Sequence, residues 1–120
     1  MTAILPNLRS SKNTVPLTVE EATEALSNHR RRVTIRFVSD AEAAVHVDDL
    51  ANHLAGIEND APLDAQDRKR VYISLTQTHL DTLDELDAIT YDERQKMVSP
   101  NDSTHGLSEL LRDIESVCNT

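Results

Sequence analysis

The side chains with most to offer chemically fall in two short groups. The first is Arg68, Lys69, Arg70, Ser74, Gln77 and Thr78; the second is Arg94, Gln95 and Lys96. Arg and Gln carry forked hydrogen-bonding groups that match base edges. Ser and Thr hydroxyls reach bases or phosphate, and Lys brings a point charge to phosphate. At about 100° per residue, Arg70, Ser74, Gln77, Thr78 and Asp81 form one polar stripe of a helix. An ordinary solvated face has the same look. Other chemistry has little to build on. The two glycines, Gly56 and Gly106, are isolated, so no phosphate-cradling loop is written. His29, His46, His53, His79 and His105 show no metal-ligand spacing. The serines fall in turns or on exposed helix faces, so no nucleophilic triad can be assembled. The reading is of a non-enzyme with no cofactor and no bound metal.

The elements that must position these residues lie between Asp64 and Pro100. Asp64 is a good N-cap, and the Asp67 carboxylate faces the unpaired N–H groups of the first turn. No Gly or Pro interrupts the run to Asp87. Val71, Tyr72, Leu75, His79, Leu83 and Leu86 share one broad side, and Ile73 and Leu80 widen it. So wide an apolar arc predicts a helix over about 64–86, buried on most of its circumference, with one narrow polar strip outside. On that face His79 reads as a packed core histidine. The period then changes to two. Ile89 and Tyr91 alternate with Thr90 and Asp92, Glu93 to Gln95 make a polar turn, and Lys96 to Ser99 return, ended by Pro100. A hairpin over 88–99 follows the helix directly, although its turn lacks an Asn-Gly signal.

The flanking chain supplies the rest of a small domain. Residues 1–17 read as a flexible arm, with SSKNT and two prolines and no sustained period. Thr18 to Glu21 is a T-x-x-E capping box that opens a helix closing at Ser27-Asn28. A second helix runs from about His29 to Ser39. Arg30, Arg31 and Arg32 lie at its N-terminus, where the helix dipole disfavours cations; either DNA phosphate or a neighbouring acidic face would account for them. Val45 to Val47 is a short β-like segment, placed as a third strand beside the hairpin. Asp48 then caps a helix carrying Leu50, Ala51, Leu54 and Ile57, which ends near Glu58-Asn59 before a turn containing Pro62. That helix, the turn and the long helix make a helix-turn-helix, with a turn longer than the simplest form. After the hairpin, 101–120 reads as a linker over 101–104, with Ser103 or Thr104 as cap. An amphipathic helix then carries Leu107, Leu110, Leu111, Ile114 and Val117, a face that either packs on its own domain or pairs two copies as a dimerisation surface. The fold class is mainly α with a small β-wing, a winged helix-turn-helix over 18–100.

Composition sets the outer bounds. One Phe, two Tyr and no Trp leave the core to Leu, Ile, Val and Ala. No apolar run approaches the roughly 20 residues of a membrane span. Met1 to Leu8 lacks the pattern of a signal peptide. The single cysteine, Cys118, fits a reducing cytoplasm. The net charge is −9, and only Lys12, Lys69 and Lys96 among the cations are lysines. Acid excess with scarce lysine reads as adaptation to molar salt, where a Debye length of about 3 Å lets surface carboxylates sit close together. An acidic protein of ordinary salt that avoids nucleic acid is the alternative.

Three segments together carry a resemblance: ALSNHRRRVTIRFV at 25–38, VDDLANHLAGIEN at 47–59 and RKRVYISLTQTHLDTLDELDAITYDE at 68–93. They resemble a haloarchaeal winged-helix domain family of unassigned function, related in architecture to arsenic-repressor-like regulators, over about Val19 to Pro100. The resemblance implies a cytoplasmic DNA-binding fold with a role in transcription and double-stranded DNA as partner. Such domains usually carry Gly where this chain has Asp87. Metal-sensing relatives use several cysteines, so a thiolate sensor is not implied. The expected function is a dimeric DNA-binding regulator of a halophilic archaeon, with a winged-helix protein–protein interaction module as the alternative. The −9 charge and the carboxylates Asp81, Asp84 and Glu85 favour that alternative.

Overall fold

Thr18 opens helix α1 (Val19–Ala25) as its pattern requires. Its hydroxyl accepts from the Glu21 N–H at 3.0 Å, and the Glu21 carboxylate accepts from the Thr18 N–H at 2.9 Å. Two donors that a helix start leaves unpaired are thereby satisfied. The computed structural model describes residues 17–59 and 64–118. The expected arm, Leu17 aside, and the turn at 60–63 lie outside the described residues. Helix α2 (His29–Ala41) starts where Asn28 accepts the Arg30 N–H at 2.8 Å. It ends beyond the expected Ser39, at Glu42 in left-handed backbone with φ 55°.

The three arginines at the start of α2 find partners inside the domain. Arg30 makes a two-pronged ion pair with Glu58, at 2.7 and 2.8 Å. Arg31 donates to the Glu24 carbonyl at 3.0 Å and to His79 Nδ1 at 3.2 Å. Arg32 donates to the Leu26 carbonyl at 2.7 Å. Glu24 and Leu26 lie at the end of α1, where carbonyls lack helical partners. The arginines therefore tie α1, α3 and the long helix to α2.

Strand β1 (Val45–His46) leads without a break into helix α3 (Val47–Glu58). His46, not Asp48, is the N-cap: its Nδ1 accepts the Asp48 N–H at 3.0 Å. The strand delivers the chain to the helix two residues earlier than expected. Asp48 instead lies in the first turn, where its charge still suits the dipole. The hairpin consists of β2 (Thr90–Asp92) and β3 (Met97–Ser99). The sheet is antiparallel throughout, in the order β1-β3-β2, with Val45 opposite Val98 and Tyr91 also opposite Val98. Lys96 belongs to the turn and not to the returning strand. It adopts φ 57°, while Gln95 N–H is held by Asp92 Oδ1 at 3.1 Å. An Asp side-chain bond and one left-handed residue do here what Asn-Gly does in shorter turns.

The long helix is not a straight α-helix. Helix α4 (Ala65–Ser74) passes into a π-turn at Leu75–His79 and then into α5 (Leu80–Glu85). The Leu80 N–H bonds to the Leu75 carbonyl, five residues back. The extra residue rotates everything after it by about 100° relative to what precedes it. Leu80 and Leu83 thereby join Val71 and Leu75 on the core side, and all four are buried. The buried arc is narrower than a straight helix would need. Ile73, expected to widen it, is 39% exposed.

A Schellman turn closes the helix. Asp87 takes φ 64°, with Asp87 N–H bonded to the Asp84 carbonyl at 3.0 Å and Ala88 N–H to the Leu83 carbonyl at 2.9 Å. Helix α6 (Asp102–Cys118) begins immediately after the hairpin, so the linker expected over 101–104 reduces to Pro100 and Asn101. Asn101, not Ser103 or Thr104, takes the capping position. Its Oδ1 accepts the Thr104 N–H at 3.0 Å, and Thr104 Oγ1 accepts the Asn101 N–H at 2.9 Å. Thr104 Oγ1 also donates to the buried Ala88 carbonyl at 2.5 Å. Leu107 and Leu111 pack into the domain core and are not available to a partner; Leu110, Ile114 and Val117 remain exposed. Arg36 ion-pairs with Glu115, and Ser39 Oγ lies 2.8 Å from His105 Nδ1, both linking α2 to α6. The core is aliphatic, centred on Ile35, Leu50, Leu54, Leu75, Leu80, Leu83, Ile89 and Val98. The whole is mainly helical with a small three-stranded antiparallel sheet, in a winged-helix-like arrangement. Among the described residues no helix is long and apolar enough to cross a membrane.

Candidate nucleic-acid interface

The first turns of α4 are built to project cations. Asp64 and Asp67 form a reciprocal cap: Asp64 Oδ1 accepts the Asp67 N–H at 2.8 Å, and Asp67 Oδ2 accepts the Asp64 N–H at 3.4 Å. The Asp67 N–H, and after it the Gln66 N–H, hold the exposed Asp64 carboxyl below its usual range. With the helix started there and Val71 turned inward, Arg68, Lys69 and Arg70 stand in solvent. Arg70 reaches Asp67 at only 3.6 Å, and two-thirds of its side chain remains exposed.

Between α3 and α4 lies a groove of about 440 Å³, lined by Asp48, Ala51 and Asn52 on one wall and Ala65, Arg68, Lys69 and Tyr72 on the other. Asn52 and Tyr72 were not among the expected site residues. Tyr72 falls on the apolar side of the helical pattern, yet it is only half-buried. Asn52 carried one usable signal: it is a polar residue between the buried Ala51 and Leu54 on the helix preceding the long one.

The remaining expected residues do not form one continuous strip. Gln77 and Thr78 are exposed but lie within the π-turn; Ser74, just before it, is half-buried. The extra residue moves Asp81 away from the line of Arg70 and Ser74 by about 100°. On the hairpin Arg94 and Gln95 are exposed and Lys96 is half-buried. The Lys96 carbonyl accepts the Val47 N–H at 3.0 Å. This bond sets the hairpin turn against the start of α3, whose Asp48 lines the groove. Turn, α3 start and the first turns of α4 are thus neighbours.

The surroundings are electrostatically mixed. Asp81, Asp84 and Glu85 on the long helix and Asp92 and Glu93 at the hairpin turn are exposed. Asp84 Oδ1 accepts the Tyr91 N–H at 3.0 Å and so fixes the hairpin to α5. The Tyr91 hydroxyl is buried and has no hydrogen-bond partner among the described residues. Burial, followed by the nearby Glu93 and Asp81 charges, raises its pKa above the ordinary phenol value. Among the described residues no group of three or more His, Cys, Asp or Glu is placed to hold a metal ion. His79 is buried as a core residue, its ring accepting from Arg31.

A family model described as a domain of unknown function, DUF7344, matches residues 23–99, from within α1 to the last residue of β3. No curated protein and no solved structure matches the chain. The chain belongs to the DUF7344 family.

Proposed function

From that family membership and the interface geometry, we propose that this DUF7344 domain is a winged-helix DNA-binding regulator of transcription. We place it in the cytoplasm of a halophilic archaeon, as a homodimer. The observation that carries the reading is the sorting of cations. Arg30, Arg31, Arg32 and Arg36 are consumed by internal partners. Arg68 and Lys69 line the groove between α3 and α4, Arg70 follows them on the helix start, and Arg94 and Lys96 stand on the hairpin turn. Arg70, Ser74, Gln77 and Thr78 read bases in this proposal. Arg68, Lys69, Arg94, Gln95 and Lys96 hold phosphates, with Leu110, Ile114 and Val117 of α6 left to pair two copies. A base-reading contact is worth about 1–3 kcal/mol, whereas a phosphate contact is blind to sequence. Gln77→Ala should therefore relax sequence preference, and Lys96→Ala should weaken all sequences alike. Binding of both variants at parental strength would show this face to be misassigned.

The direct test is selection of genomic fragments by the purified chain in molar KCl, followed by sequencing. Enrichment of inverted repeats supports a dimeric regulator. Absence of enrichment from folded protein favours the second reading, a winged-helix module that binds protein. That reading draws on the net charge of −9 and on the exposed Asp81, Asp84, Glu85, Asp92 and Glu93 beside the hairpin. Counterion release weakens ordinary DNA binding as salt rises, so affinity that vanishes by molar KCl also counts against the regulator.

A further inference from the structure

A π-turn is intrinsically poorer than the α-helix around it and persists where tertiary contacts repay it. Here the turn spans Leu75–His79, in the middle of the helix to which base reading is assigned. Its first and last residues are the buried Leu75 and the nearly buried His79. The polar contact on the His79 ring comes from α2: Arg31 Nε donates to Nδ1 at 3.2 Å, and Arg31 Nη1 is itself anchored on the Glu24 carbonyl at 3.0 Å. This geometry requires Nδ1 to be an acceptor, so the ring must be neutral. Protonation would set an N–H against an N–H and place three cations together.

We propose that the π-turn is a two-state element of this helix, latched by the Arg31–His79 hydrogen bond and released when His79 takes up a proton. The charged groups facing His79 are Arg31 and Arg30 from α2 and Glu58 from α3. Glu58 is engaged by Arg30, and among the described residues no carboxylate pairs with Arg31 beside the ring. Burial, then Arg31 and Arg30, push the His79 pKa below its ordinary value, and Glu58 opposes this weakly. Release removes a polar contact on the last residue of the turn, which together with the burial of Leu75 and Leu80 repays the extra residue. Loss of the π-turn rotates Arg68, Arg70 and Ser74 by about 100° relative to α5 and the hairpin. The regulatory consequence rests on the DNA-reading proposal; the latch itself does not.

The test is amide hydrogen exchange by NMR on the full chain, compared between about pH 8 and about pH 5 after correction for intrinsic rates. The Leu80 amide, bonded to the Leu75 carbonyl, reports the turn, and the Leu54 amide in α3 reports the domain. Acid should speed Leu80 exchange by about tenfold or more while Leu54 stays protected. His79→Gln, which keeps a neutral acceptor, should abolish that response. Arg31→Met should loosen Leu80 already at the higher pH, and it carries the test if His79→Gln does not fold. Unchanged Leu80 exchange, or equal loss at Leu80 and Leu54, overturns the latch. Loosened Leu80 with unaltered DNA selectivity overturns its regulatory role. If DNA is bound at neither pH, the DNA reading fails while the exchange result still decides the latch.

Discussion

Thr104→Val removes one hydroxyl and keeps the side-chain shape, so its effect can be worked from the contacts. Thr104 is fully buried. Its Oγ1 accepts the Asn101 N–H that starts α6 and donates to the Ala88 carbonyl just past the Schellman turn. Each bond is worth a net of about 1 kcal/mol, and leaving the buried Ala88 carbonyl unpaired adds about 1–3 kcal/mol. The total is a loss of about 3–5 kcal/mol. At about 4 °C per kcal/mol for a domain of this size, Tm should fall by about 12–20 °C. Urea unfolding at fixed molar KCl, followed by circular dichroism, measures the loss directly. Thr104→Ser is the control: it keeps both bonds and gives up one methyl, costing about 1 kcal/mol. A Val variant within about 0.5 kcal/mol of the parent, or a Ser variant that falls as far as Val, would refute the claim that this hydroxyl joins α6 to the long helix.

The Arg30–Glu58 pair should contribute about 1–2 kcal/mol, discounted because both side chains keep part of their surface in water, and Arg30→Ala measures it. Arg30, by hydrogen bond first, holds Glu58 below its ordinary pKa. That stability is present above the unfolded carboxylate value near about 4.3 and is lost as pH falls through the folded value. Stability curves for the parent and Arg30→Ala should converge in acid. For His79 the sign also favours higher pH. Its folded pKa is depressed, so below about pH 6.5 the unfolded state binds more protons and stability falls with pH; His79→Gln should flatten that limb of the unfolding curve. Asp87→Gly should be neutral or stabilising by up to about 1 kcal/mol, because Gly suits φ 64°, whereas Asp87→Val should cost about 1–2 kcal/mol in the same assay.

Where the local code was strong, the fold was legible. The T-x-x-E box at Thr18 and the Asp64 cap lie where their patterns put them, since capping needs only the chain within three residues. The alternation around Tyr91 and the placement of Val45-His46 beside the returning strand also match the sheet. The usual Gly at Asp87 in the resembled domains coincides with a left-handed backbone here. The candidate site was legible only in part. Arg68, Lys69, Arg70, Gln77 and Thr78 are indeed exposed, but Ser74 is half-buried, and the second wall of the groove, with Asn52, comes from a helix read as scaffold.

The sequence by itself determined the order of helices and strands, the caps that open α1 and α4, that the core is aliphatic, and which residues carry charge. Those properties depend on neighbours along the chain. Tertiary structure alone decided how the elements rotate and whom they touch. A straight helix and one with a π-turn have the same residue pattern until Leu80 must meet Leu75 and Val71 in one core. Arg30 and Arg31 could equally have faced an outside anion; Glu58 and His79, 28 and 48 residues away, engage them internally. Along α6, Leu107 and Leu111 are buried while Leu110 and Ile114 are not, because the helix can turn only one side toward α2. Periodicity marks an apolar side, and only the packed neighbour selects which part of it leaves water.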